Sequence, residues 1–593
     1  MTVPTDLNAT DKAIVSSSGV GSIVKQAAVL TTNQTALDTI TGMLADPAGY
    51  YVNLHSTDNP GGVIRGQLQR AEVVVLMGVM SPANEVPAID SPATGVSQVT
   101  AIATRNASGG FTSAQTIFDI NYNFGKQTTI SGFHIHNGPA GVNAGVIINT
   151  AINGTTNAVV TDATGAGTLR RTVEVDVNNA AQLDTLNGLF THPKDYYINM
   201  HTLEFGGGLI RDQLRNTDLM TFNVTMLPSN ETPPIAGLDA SAPAQVLIRT
   251  VRGEDGKVLA GTATFDINYR FPAARVEFTG LHVHDGAAGV AGPVRLNSNI
   301  TAANSIVSET GFGNVYLFST LSDANAVATL NSLVQNPELH YVNIHTTVNG
   351  GGAIRAQLAP AVTALPAITS ITSAGGGSVS APAGLVRIDG TNLAKVTGGL
   401  AGWLGKVLPT SFNGVKVTIG GQNAPILFVS PGRLTVQNPV EVAAGSAPVV
   451  VTTTNGASPA SNTTVAAVAP AVFVDPNNAG RGIVTHLNYS LVDPGNPAKA
   501  GEILLLWATG MGQTTPALTT GALVTYPPAS NTAATTVTIG GQNAPVVYSL
   551  ASPSSVGLYQ IAVTVPTGVA PGNAAVVVKV GTGTSAPVNI AVQ

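Results

Sequence analysis

The sequence predicts an all-β protein: tandem β-sandwich or barrel repeats followed by two immunoglobulin-like β-sandwiches. Three observations predict it. First, a 19-residue cassette occurs three times, as YYVNLHSTDNPGGVIRGQL from Tyr50, YYINMHTLEFGGGLIRDQL from Tyr196 and HYVNIHTTVNGGGAIRAQL from His340. The spacing from His55 to His201 is 146 residues and from His201 to His345 is 144. Self-similarity at a near-constant period marks a tandem array. Second, VTIGGQNAP recurs at 417–425 and 537–545, a different period of 120 in the last third of the chain. Third, short runs rich in Val, Thr and Ile alternate with Gly, Asn and Pro, the pattern of short strands and tight turns. At 593 residues the chain exceeds what one hydrophobic core can serve.

In chain order, residues 1–70 hold only the second half of the repeat: a helical stripe (Leu37, Ile40, Leu44) and the first cassette. The expectation is a truncated repeat in a chain that starts late, with its export signal upstream. Residues 71–216 and 217–360 are complete copies. Asn84-Glu85-Val86-Pro87 returns as Asn230-Glu231-Thr232-Pro233, Phe118-Asp119-Ile120-Asn121-Tyr122 as Phe265-Asp266-Ile267-Asn268-Tyr269, and GFHIHNGPAG (132–141) as GLHVHDGAAG (280–289). Before each later cassette the spacing of Leu183, Leu186, Phe190 and of Val327, Leu330, Val334 predicts a helix of about two turns with one apolar face. Residues 361–384, with a Gly/Ser/Ala/Pro run at 373–384, read as a linker and the lead-in to a first strand. Residues 385–470 and 471–593 read as immunoglobulin-like domains.

Composition narrows the function. Charged residues are only 10% of the chain and the net charge is −6. Residues 361–593 carry 8 basic and 5 acidic side chains, leaving 18 and 27 in the first 360. No basic run or face marks a nucleic-acid partner. There is no cysteine, which removes disulfides, thiolate nucleophiles and Cys-ligated metals and leaves ten histidines as candidate transition-metal ligands. No apolar run approaches 18 residues, so no transmembrane segment is expected. Neither a GxxxxGK[ST] loop nor a GxSxG elbow is present.

Strand alternation gathers the remaining polar chemistry on one face. In Phe133-His134-Ile135-His136 the two imidazoles share a face opposite Phe and Ile, and Val52-Asn53-Leu54-His55 and Ile64-Arg65-Gly66-Gln67-Leu68 divide likewise. The candidate polar-face residues are therefore His55 and Arg65 in the first copy, Asn199, Arg211 and Gln213 in the second, and Asn343, Arg355 and Gln357 in the third. Two histidines spaced x-y-x on one strand plus a third from another suit copper, zinc or nickel. The candidate metal ligands are His134, His136 and His201, then His282, His284 and His345. The alternative role for the same residues is hydrogen bonding to one another and to the Gly-rich loops Gly206-Gly207-Gly208 and Gly350-Gly351-Gly352. His192, His340 and His486 lack spaced partners and read as surface or loop residues. Asp119, Asp266, Glu85 and Glu231 read as turn or strand-end residues.

ANEVP (83–87), GFHIHNGPAG and YYINMHT with GGGLIRDQL resemble the CHRD domain, first named in chordin and common in secreted bacterial proteins. The resemblance covers roughly residues 1–360 and implies a β-barrel or immunoglobulin-like domain. LVRIDGTNLA (385–394), APILFVSPGRLTVQNPVEVAAG (424–445), AGEILLLWATGMG (500–512) and VGLYQIAVTVPTGVAPG (556–572) resemble the C-terminal domain of secreted acidobacterial, Solibacter-type proteins. That likeness implies paired immunoglobulin-like or TIG-like folds, export and surface association. Locally, Gly132-Phe133-His134-Ile135-His136 with His201, Gly-Gly and Arg211 is similar to the copper half of Cu/Zn superoxide dismutase. It implies that His134, His136 and His201 match copper ligands and Arg211 an anion-guiding arginine. Residues 137–150 supply no bridging histidine, and a zinc-loop His cluster is missing. The leading expectation is a secreted or cell-surface, non-enzymatic modular protein binding a protein, polysaccharide or matrix ligand, with tandem copies adding avidity. The alternative is a copper-binding, dismutase-like redox protein with one three-His site per full repeat.

Overall fold

The computed structural model describes residues 13–15, 33–106, 110–253, 257–272, 275–359, 363–399, 407–476, 478 and 480–593. The fold is all-β as expected. Three helices of 12 residues, Gln34–Ala45, Ala180–Thr191 and Ala324–Gln335, each stand before a cassette. Asn33, Asn179 and Asp323 cap them, their side-chain oxygens accepting backbone N–H groups that no carbonyl within the helix can reach.

Each full repeat is a two-sheet sandwich. In the second repeat one sheet runs Arg215–Asn216, Glu72–Met80, Thr94–Arg105, Phe111–Asn123, Ala166–Val175, every pair antiparallel. The other runs Ile210–Gln213, Tyr196–Thr202, Thr129–Asn137, Val146–Asn149. Register puts Leu76, Val99 and Phe118 in one row on the inner face. Opposite them stand Phe133, Ile135, Ile198 and Met200, all fully buried. The Phe118 and Phe133 rings meet edge-on at 5.5 Å. Leu186 and Leu189 of the helix complete this core, with Leu183 and Phe190 at its margin. The third repeat repeats the plan around Phe265, Val283, Val342, Leu330 and Leu333.

The two full repeats pack through the outer faces of the sheets that do not carry the histidines. Met77 and Val96 meet Val251 and Ala260, and Thr262 donates to Gln98 Oε1 at 2.9 Å. The order across the pair is therefore His-bearing sheet, core, sheet, interface, sheet, core, His-bearing sheet. The two His-bearing faces point in opposite directions, which a shared approach to one surface, and hence simple avidity, does not suit.

The first copy differs in packing. Tyr51–Leu54 pairs only with Ile64–Gln67 among the described residues, and Leu44, Val52 and Ile64 are exposed. With no opposing sheet among the described residues, these two strands have nothing to bury that face against. Residues 361–384 are more than a linker. Ala367–Ser373 pairs with Leu385–Thr391, and Val379–Ser380 runs parallel to Ser461–Val465. Both add strands to the first immunoglobulin-like sandwich, and Ile368 and Ile371 of the first strand pack on its core. A last sandwich is built around Leu504, Leu506, Ile561 and Val563. No described helix is long and apolar enough to cross a membrane.

Candidate metal centres

The cassette strand Tyr196–Thr202 pairs with the His-x-His strand Thr129–Asn137 so that Tyr197 faces His136, Asn199 faces His134 and His201 faces Gly132. On its other edge Asn199 faces Arg211 and Tyr197 faces Gln213. This register alone gathers the three imidazoles. One ring nitrogen of each lies within 4.8 Å of the other two, and the same holds for His282, His284 and His345. Ring centroids are 5.0 Å apart for His134–His201 and 5.8 Å for the other two pairs.

The hydrogen bonds decide which nitrogens are offered. His136 Nδ1 is 2.9 Å from Ala144 O and His201 Nδ1 is 3.0 Å from Gly206 O. A carbonyl only accepts, so Nδ1 carries the proton in both rings and Nε2 presents a lone pair. Those two Nε2 atoms and His134 Nδ1 are buried without a partner. His284, His345 and His282 repeat the arrangement atom for atom, through Gly292 O and Gly350 O. Buried polar atoms are almost always paired. Three orphaned acceptors converging on one point, twice, fit a cation. Carbonyls holding the far side of two of the three rings in each set are the usual support of metal-bound histidine. Burial, then the neighbouring imidazoles His201 and His136, hold His134 down to about 4, and the corresponding causes do the same to His282. Burial likewise lowers His136, His201 and His284. All five rings are therefore neutral at pH 7, the form that binds metal.

The rest of the polar face is not free for a ligand. Asn199 and Arg211 are 2% and 1% exposed, because the turn at 82–85 and the loop at 138–144 fold over the sheet. Arg211 donates to Val142 O and Asn143 Oδ1, both at 2.9 Å, and lies 3.8 Å over the Tyr197 ring. Tyr197 in turn stacks on His136 at 4.5 Å. Arg355 and Tyr341 repeat the stack, with Arg355 bonded to Ala287 O. These guanidiniums brace the loop and, through Tyr197 and Tyr341, the His136 and His284 rings, which leaves the anion-guiding part implied for Arg211 without support. Gln213 Nε2 donates to Gly138 O, Lys194 O and Tyr196 O, and Gln357 does likewise to Gly286 O, Glu338 O and His340 O. Both amides are backbone clamps. In the first copy His55 and Arg65 are exposed; His55 Nδ1 meets Pro60 O, and among the described residues no His-x-His strand stands beside it.

Several residues outside the His sets gain partners that spacing did not reveal. Asn199 donates to Glu85 and Asn343 to Glu231, whose carboxyls burial raises to about 7 against the pull of Arg211 and Arg355. The repeat of ANE as SNE in the next copy was the available signal. His340, read as a surface residue, is 2% exposed: Nε2 meets Ser332 Oγ at 2.9 Å, and Nδ1 lies 3.0 Å from Asp285 Oδ1, off the hydrogen-bond direction. The second repeat has Tyr196 packed on Gly188 at these positions, so Ser332 with His340 exchanges a large–small pair for two medium side chains. His486 is also partly buried, against Glu502. His192 is near the surface as expected, beside Thr191.

Comparison with known proteins agrees with this architecture. No curated protein matches the chain. Among solved structures, the Bacteroides ovatus mixed-linkage glucan utilization locus protein SGBP-B, in complex with a mixed-linkage heptasaccharide, is 15% identical with a TM-score of 0.21. The match covers 43% of this chain and 53% of that one, so the chain spans about half its length. Domains 5–6 of the S-layer protein SbsC are 14% identical, covering 38% and 98%, with a TM-score of 0.16. The putative membrane anchored protein from Corynebacterium diphtheriae is 10% identical, covering 63% and 94%, with a TM-score of 0.11. Likeness at this level carries no functional argument. The family matches are specific: an IPT/TIG domain at residues 366–466, and the CHRD domain at 3–68, 77–214 and 222–358. With more than half of its residues in those three matches, the chain belongs to the CHRD domain family.

Proposed function

We propose that the chain is an extracellular modular protein whose two full CHRD repeats each bind one transition-metal ion, copper foremost, through three histidines. His134, His136 and His201 hold one ion; His282, His284 and His345 hold the other. The observation that carries this reading is the set of three buried, partnerless imidazole nitrogens within 4.8 Å, present in both repeats. Imidazole suits copper, zinc and nickel, and copper(II) stands highest in the affinity order of the divalent ions. Three neutral donors leave a coordination position open, as in reactive rather than structural sites. A bound copper ion there supplies one-electron chemistry. The residues of the chain fix the ring tautomers, through Ala144 O and Gly206 O, and brace His136 through Tyr197 and Arg211. The immunoglobulin-like pair serves as spacer or surface module. Extracellular location is supported by the low-charge, turn-rich composition and the domain types.

Metal analysis of the full chain after equilibration with Cu(II) or Zn(II) and desalting tests the reading. The expected result is two ions per chain, falling to one in either His136→Ala or His284→Ala and to none in the double variant. Metal-free wild-type protein would overturn it.

A further inference from the structure

We infer that Gly132 and Gly280 are positioning residues that make the space in which the first histidine of each set seats its ring beside the other two; this deepens, and rests on, the metal-site reading. Gly132 sits across the ladder from His201 and two residues before His134 on the same strand face, so both rings close over its Cα. A Cβ placed there would lie 2.6 Å from His134 Cε1, 3.2 Å from His134 Nε2 and 3.2 Å from His201 Cδ2. At Gly280 the distances are 2.6 Å to His282 Cε1, 3.1 Å to His345 Cδ2 and 3.4 Å to His282 Nδ1, so in both repeats it is Cε1 that lies closest over the glycine. Neither glycine has a positive φ, so conformational freedom is not the reason for it. Space is.

The consequence is chemical. His136 and His201 lie beside loop carbonyls that fix Nδ1–H and leave Nε2 as donor. No such carbonyl bonds His134. Its ring instead lies over the glycine, with the Cε1–Nε2 edge against the backbone and Nδ1 turned to the cluster, buried and partnerless. The donor set is thus mixed, one Nδ1 and two Nε2, and the first ring reaches its place because a side chain is missing beneath it rather than through a hydrogen bond. Any Cβ at residue 132 drives the ring off the strand and takes Nδ1 away from the other two donors. Because one glycine underlies two ligands, its replacement disturbs two of the three.

The test uses the full chain with Cu(II) as the probe. Gly132→Ala is expected to weaken copper binding at the second repeat roughly 10–100-fold, the range for changes that misplace a ligand without deleting it. At limiting copper the chain should then hold one ion, with only the electron paramagnetic resonance signal of the third repeat. Gly280→Ala should give the reverse. Gly145→Ala, where a Cβ meets nothing within 4 Å, should change neither loading nor signal. Metal-free protein supplies an independent arm. The urea-midpoint cost of Gly132→Ala should be largely relieved in a His134→Ala background, since the clash partner is gone. Two coppers with the wild-type signal in Gly132→Ala, or an undiminished cost in the His134→Ala background, would overturn the inference. If the wild type takes up no copper, the metal reading fails, while the metal-free cycle still decides whether the glycine positions the ring.

Discussion

Metal-linked stabilisation of single repeats is the prediction that the geometry fixes most closely. Each full repeat has its own core, around Phe118 and Phe133 in one and Phe265 and Leu330 in the other, and the contact between them is confined to a few residues such as Met77, Val96, Val251 and Ala260. An ion that binds the folded repeat and not the unfolded chain stabilises it by RT ln(1 + [L]/Kd), about 2.7 kcal/mol at a free concentration of 100 Kd. For a domain of this size 1 kcal/mol moves Tm by about 3–4 °C, so saturating copper should raise the melting of each repeat by about 10 °C. His136→Ala removes one of three donors in the second repeat and leaves the third untouched. Calorimetry of that variant should show one transition that responds to copper and one that does not. The wild type should show both moving, and His284→Ala should exchange the two. The His136 and His201 protons are placed by backbone carbonyls, so the response needs no added base above about pH 6.5, the ordinary imidazole range. If neither wild-type transition moves in Cu(II) or Zn(II), or if His136→Ala keeps both responses in full, the orphaned nitrogens are not metal donors.

Acid sensitivity has a defined sign. His134 and His282 sit at about 4 when folded and near 6.5 when unfolded, so between these values the unfolded chain holds more protons and stability falls as pH drops. Glu85 and Glu231 sit at about 7 folded against 4.5 unfolded, so their contribution is lost as pH rises through that window. The two slopes oppose each other, and Glu85→Gln with Glu231→Gln should steepen the loss of the urea midpoint from pH 6.5 to 4.5; an unchanged slope would refute this. Arg211→Ala removes two hydrogen bonds from a buried cation and its stack on Tyr197, and should cost about 3–5 kcal/mol in urea unfolding. A cost below 1 kcal/mol would show that the loop is held by something else. Three sheet-to-sheet gaps of about 10 Å separate the His-bearing faces, so pulsed electron resonance on the dicopper protein should return roughly 35–40 Å; a distance under 20 Å would contradict the opposed arrangement. Backbone amides of Tyr51–Leu54 should exchange far faster than those of Tyr196–Thr202 and His340–Thr346, because among the described residues no strand covers the other edge of the first cassette.

The amino-acid sequence by itself determined the all-β class, the repeats, their helices and the identity of the six histidines. Those features are periodic, and period is what side-chain alternation and chain spacing write into a linear string. It also showed that His134 and His136 share a strand face, since two residues along a strand return to the same side. What joined His201 to them was cross-strand register, with Gly132 opposite His201, and register between segments 65 residues apart is settled only by packing. The same holds for Arg211. Its place on the polar face was legible from alternation, but its burial under the 138–144 loop was not, because that depends on a distant turn folding back over the sheet. His340 went the same way: a residue without spaced partners in the chain found Ser332 and Asp285 only once helix and sheet were packed. Local chemistry follows from local sequence, whereas which faces become buried and which nitrogens are left without a partner are properties of the assembled layers.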